Sequence, residues 1–151
     1  MLSADERKQI VREVVTARSA LLARFPLLGY LAMYADIEIV DDVDLVDTLK
    51  ESKVNATIVG AGVEASGKQL TIGAWAWKHV FRHKRQRVAL LAHEVLHLAL
   101  KHPARMAAAT NGHAQQTLYN LAADVIVNHT LMAAGFRHSI AGEAITAASL
   151  C

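Results

Sequence analysis

With 151 residues, 53% of them hydrophobic, and 16 basic against 14 acidic side chains, the chain has the size of one domain with a substantial core and a nearly balanced charge. The single cysteine, Cys151, excludes an internal disulfide framework and a cysteine-rich zinc site. No apolar run approaches the ~18 residues that span a bilayer. The N-terminal MLSADERKQIVREVV is charged where a signal peptide needs an apolar segment, so the expectation is a cytoplasmic protein that does not enter a membrane. In that setting the Asn-x-Thr triplets at Asn55 and Asn128 carry no glycan. The charge is uneven: residues 1–52 hold ten acids and six bases, residues 53–151 four acids and ten bases. The basic half would favour an acidic substrate or partner.

Ser3-Ala-Asp-Glu6 reads as a capping box and predicts a helix to about Arg24, with Ile10, Val14, Ala17 and Leu21 inward and Arg7, Arg12 and Arg18 outward. Pro26 ends it and opens a second, short helix, PLLGYLAMY. IEIV (37–40) alternates and is β-branched, hence a strand. The acidic stretch 41–51 lacks the glycine and terminal glutamate of a calcium-binding loop and reads as a solvated loop leading into a short helix. ATIV (56–59) and QLTI (69–72), separated by Gly60, Gly62 and Gly67, have the pattern of a hairpin with a loose loop. AWAWKHVF (74–81) and the basic cluster Arg82–Arg87 follow. A basic cluster can mark a nucleic-acid patch, but this one has no interleaved aromatic residue and reads as a solvated turn, so nucleic acid is not the expected partner.

Arg87–Lys101, RVALLAHEVLHLALK, is the most informative stretch. From Val88 to Leu100 all residues are apolar except His93, Glu94 and His97. At roughly 100° per residue these three crowd one sector of a helix that its other residues mark as buried. Two imidazoles and a carboxylate buried together are costly unless satisfied. The His-Glu-x-x-His spacing puts both imidazoles on one face, within reach of one zinc ion, with Glu94 beside the water such a zinc would carry.

Pro103 is expected to stop this helix, and a polar loop (104–113) to follow. The last strong element is AQQTLYNLAADVIVNHTLMAAG (114–135), a helix with Gly135 as its C-terminal cap. Asn120, Asp124 and Asn128 form a polar line along it, with Leu118, Leu121, Ala122, Val125 and Met132 giving an apolar face. A buried aspartate needs a cation or donors, and a catalytic zinc commonly has three protein ligands. Asp124 is therefore the expected third ligand, with Asn128 orienting Asp124 or a ligand imidazole from the second shell. His102, His113 and His129 are rival third ligands. A continuous helix would turn His102 away from His93, and it lacks the glycine that precedes a third histidine in the extended metzincin motif. Residues 136–151 form a weakly patterned tail of what reads as one domain.

HEVLHLALKHPARM followed by NLAADVIVN resembles the bacterial domain described as a putative metallopeptidase that often precedes a von Willebrand factor A-like domain. The likeness extends to PLLGYLA and to the strand–Trp stretch before the metal helix. It implies an α+β, zincin-like fold, a small sheet packed on helices with the metal between the HExxH and AAD helices. His93 and His97 match the ligand histidines, Glu94 the catalytic glutamate and Asp124 the family's acidic position. No von Willebrand-like half follows, so the resemblance implies a short stand-alone member or an excerpt of a longer chain, with a partner protein able to stand in for the missing half.

The expected activity is zinc-dependent hydrolysis of a peptide or protein, with one Zn2+ per chain and Glu94 as proton shuttle. The strand at 69–72, if at a sheet edge, would pair with an extended peptide, placing Trp75 and Trp77 near a side-chain pocket unless they are core aromatics. Tyr119, His113, His129 and Arg137 are all candidates for the oxyanion donor. Two other classes remain open: a non-catalytic, metal-stabilised binding module and metal-dependent hydrolysis of RNA directed by the basic cluster.

Overall fold

The computed structural model describes residues 2–41, 61–63, 69–79 and 81–136. The Ser3 hydroxyl accepts the Glu6 amide (3.2 Å) and Glu6 Oε2 accepts the Ser3 amide (2.9 Å), closing the capping box that starts α1 (Ala4–Arg24). Its buried residues are Ile10, Val14, Ala17 and Leu21, the set the helical period selects. Pro26 opens α2 (Pro26–Met33), and Gly29 lets it cross α1 closely, since a Cβ there would sit 2.1 Å from Leu22 Cα.

Among the described residues the chain then forms β1 (Asp36–Val40), β2 (Ala61–Val63) and β3 (Gln69–Gly73), a three-stranded sheet of order β1-β3-β2. β1 runs parallel to β3, with Ile37 opposite Leu70, and β2 runs antiparallel to it, with Gly62 opposite Thr71. Among the described residues β3 pairs antiparallel with 61–63, inside the stretch read as glycine loop; the expected strand at 56–59 and the acidic segment from 42 onward lie outside the described residues. One expectation changes here. β3 is the central strand, so both of its edges are already paired and it cannot receive a peptide.

β3 runs directly into α3 (Ala74–His79), followed by α4 (Lys84–Ala99), α5 (His102–Ala109) and α6 (His113–Ala133). The core joins α1, α2, the sheet, α3 and α4, with Trp77, Phe81, Leu21, Leu70 and Ile72 among its fully buried side chains. α4 is buried from Ala89 through Val95 without a break, so it is enclosed on every side over almost two turns. α1, α2, β2 and α6 all pack on it. The architecture is predominantly helical with one small sheet, consistent with the α+β class. Among the described residues no helix is long and apolar enough to cross a membrane.

Two helix assignments depart from expectation. Pro103 does not end helical structure. The left-handed Lys101 (φ 56°) breaks the chain after α4, and Pro103 then occupies the first turn of α5, where its missing N–H costs nothing. In α6 the buried residues are Ala123, Val125, Val127 and Leu131, while Leu118, Leu121 and Met132 are exposed, so the inward face is rotated from the one expected. Gly135 (φ 103°) follows the helix as its left-handed residue.

Arg87 belongs to the core's edge and not to a solvated turn. Its Nε donates to Phe81 O (2.7 Å) and its Nη2 to Trp77 O (3.1 Å), while the guanidinium lies 4.7 Å from the Trp77 ring centre. Glu13 on α1 accepts the Trp77 indole N–H (2.9 Å) and pairs with Arg87 (3.3 Å). Arg82, Lys84 and Arg85 remain exposed.

Candidate metal centre

α4 and α6 bring three donor atoms together. His93 Nε2 lies 3.3 Å and His97 Nε2 2.9 Å from Asp124 Oδ1, and the two imidazole nitrogens are 3.0 Å apart. One turn of α4 separates the two histidines on a common face, and Asp124 reaches them from the facing helix. His93, His97 and Asp124 form a group that could hold one metal ion. In a tetrahedron of ~2.0–2.1 Å bonds the ligand atoms are about 3.3–3.4 Å apart, so the observed triangle is slightly tighter than three corners of such a site. Its fourth corner would be free for water or substrate.

The donor set also fits a cation chemically. His93 Nδ1 donates to Asn128 Oδ1 (2.8 Å), which in a neutral imidazole leaves the Nε2 lone pair directed at a carboxylate. Lone pairs converging in this way repel unless a proton or cation sits among them. In the metal-free chain the titration behaviour reflects that demand. Burial opposes protonation of His93, but the hydrogen bond to Asp124 and the charge of Glu94 raise its imidazole above the ordinary histidine value. Burial likewise works to raise Asp124, and the hydrogen bonds from His93 and His97 overcome it, holding the carboxyl well below the usual carboxylate range.

Glu94 is buried beside them. Burial pushes its carboxyl up, against the opposing charges of His93 and His97. The Asp124 side chain is 45% exposed and the two imidazoles 11% each, so the group opens to solvent on the α6 side.

Of the other sequence candidates, Asn128 contacts His93, whereas Asn120 lies exposed further up α6. His113 and His129 are exposed and are not among the grouped donors. Arg137 lies outside the described residues. Tyr119 is half-buried, with its ring centre 6.3 Å from that of His102. Trp77 is a core residue bonded to Glu13, and Trp75 packs near His79 with ring centres 5.1 Å apart.

His102 is the residue whose position the sequence did not reveal. Its Nδ1 lies 2.9 Å from His97 Nδ1, on the side of that ring away from Asp124. Burial, with the neighbouring charges of His97 and Arg105, lowers its pKa below the ordinary histidine value. Only the sharp turn at Lys101 makes this contact possible, and a lysine in left-handed conformation carries no sequence signal of the kind glycine gives.

Residues 74–150, half of the chain, match the family described as "Putative metallopeptidase domain". The chain belongs to this family, and the match spans α3 through α6, including every donor named above. No curated protein and no solved structure matches it.

Proposed function

We propose that the protein is a zinc-dependent peptidase of zincin-like architecture, with His93, His97 and Asp124 as metal ligands, Glu94 as the catalytic acid–base and Asn128 holding His93. The observation that carries this reading is the convergence of two imidazole nitrogens and a carboxylate oxygen within 3.3 Å of one another, beside a buried glutamate.

When bound, a zinc ion supplies a Lewis acid that makes water nucleophilic near neutral pH and polarises the scissile carbonyl. Glu94 takes the proton of the attacking water and delivers it to the leaving amine nitrogen. Asn128 accepts the Nδ1–H of His93 and so keeps the Nε2 lone pair aimed at the centre. The exposed side of Asp124 gives water and substrate their approach.

An extended peptide would add to the sheet at β2 and not at β3. Among the described residues β2 is an outer strand, antiparallel to β3 and packed against α4.

The test is metal content of protein purified without added metal, together with hydrolysis of a peptide library by wild type, Asp124→Ala and Glu94→Gln. About one zinc per chain, much less in Asp124→Ala, and turnover abolished by Glu94→Gln with zinc retained are expected. Full turnover by Glu94→Gln refutes the mechanism. Tight zinc with no turnover on any peptide, and a melting temperature that falls on chelation, favours a metal-stabilised binding module instead.

A further inference from the structure

The geometry points to His102 as a positioning residue of the metal centre, its Nδ1 accepting the Nδ1–H of His97 and thereby fixing that ring's tautomer and orientation. This inference rests on the metal-site reading above and extends it to a residue outside the grouped donors.

A metal on His97 Nε2 uses that nitrogen's lone pair, so the one proton of the neutral ring sits on Nδ1. Nδ1 faces His102 Nδ1 at 2.9 Å, an ordinary hydrogen-bond distance. His102 must then offer a lone pair at Nδ1 and carry its own proton on Nε2. The two ligand histidines are thus served by different acceptors: His93 by an amide oxygen on α6, His97 by an imidazole at the start of α5. Metal-bound histidines generally need such a partner for their second nitrogen.

His102 is well placed to serve as one. It is buried, at 6% exposure, and its backbone is fixed by the turn at Lys101 and by Pro103 in the first turn of α5. The Tyr119 ring on α6 stands nearly perpendicular to it, with ring centres 6.3 Å apart. The Nδ1-to-Nδ1 contact also separates this role from that of a third imidazole ligand, because His102 meets His97 at Nδ1 and the donor triangle uses Nε2.

The experiment measures zinc affinity by competition with a chromophoric chelator for wild type, His97→Ala, His102→Ala and His102→Asn. The metal-free melting temperature of each variant and the visible spectrum of the cobalt-loaded form are recorded alongside. Asparagine is informative because its Oδ1 can accept where Nδ1 did. His102→Ala is expected to weaken zinc binding by about 10- to 100-fold, the usual cost of losing such a partner. His102→Asn is expected to recover most of that loss at a similar metal-free melting temperature, and the cobalt spectrum to keep its wild-type form in His102→Asn. Zinc binding by His102→Ala as tight as wild type overturns the proposal, and so does His102→Asn as weak as His102→Ala. Loss as complete as in His97→Ala makes His102 a ligand and overturns it too. A wild type that binds no zinc removes the underlying site, a result distinct from all of these.

Discussion

Arg87→Ala tests how the start of α4 is anchored. The substitution removes two charge-assisted hydrogen bonds to the carbonyls of Phe81 and Trp77, the stacking on the Trp77 ring and the pairing with Glu13. Charged hydrogen bonds of this kind contribute about 1.5–3 kcal/mol each, and a partly desolvated cation–π contact about 0.5–2 kcal/mol. The Glu13 pair is partly solvated and adds less than about 1 kcal/mol. These contacts share one guanidinium and are not additive, so we expect a loss of about 3–4 kcal/mol. At about 2–4 °C per kcal/mol for a chain of this size, the melting temperature should fall by roughly 10 °C. Arg87→Lys keeps the charge but not the planar fork that serves two carbonyls and the ring together, and should recover less than half. Urea denaturation of the three proteins measures both differences. A loss under about 1 kcal/mol for Arg87→Ala, or a lysine variant as stable as wild type, would refute the assignment of Arg87 to the core's edge.

Three further outcomes are expected. Asn128→Ala removes the acceptor of His93 Nδ1–H and should weaken zinc binding by about 10- to 100-fold, read by chelator competition; unchanged affinity would show that His93 needs no such partner. Gly29→Ala drives a Cβ onto the Leu22 backbone and should cost at least about 1–3 kcal/mol in denaturant unfolding, whereas a neutral result would mean α1 and α2 separate easily. Glu6 is held down to about 2, first by the hydrogen bond from Lys78 and then by those within the capping box. A depressed carboxylate contributes stability above its unfolded value of 4.5 and loses it as pH falls through about 2. Stability should therefore fall less steeply over that window in Glu6→Gln than in wild type, and identical slopes would remove Glu6 from the acid response.

What was legible in the sequence depended on how strongly each pattern excluded alternatives. In α1, Ile10, Val14, Ala17 and Leu21 are spaced so that one face alone can be buried, and the capping box marks its start. His93, Glu94 and His97 stood out because polar groups on an otherwise apolar helix need partners, and Asp124 and Asn128 because they lie on one polar line of α6. α6 shows the limit of that logic. Apolar residues occur on nearly every side of it, so periodicity could not choose between Leu118 and Met132, which are exposed, and Val127 and Leu131, which are buried. The choice is made by the facing α4. The helix after Pro103 was hidden for another reason: proline reads equally as the end of one helix and the start of the next, and the left-handed Lys101 that decides between them carries no glycine. The place of His102 follows from that turn, and the central position of β3 follows from a parallel partner far away in sequence, which no local pattern encodes.

The enclosure of α4 has a consequence for what can be transplanted. The stretch shared with the family, 74–150, carries the complete set of donor atoms, yet α1, α2 and β2, which all pack on the donor-bearing helix, are supplied from outside it. Glu13, which ties Trp77 and Arg87, comes from α1, and Ala32 of the core comes from α2. The chemical vocabulary of the domain is thus portable while its scaffolding is not. A graft of 74–150 onto another protein would have to bring a new pair of covering helices, or α4 would meet water where α1 and α2 now cover it.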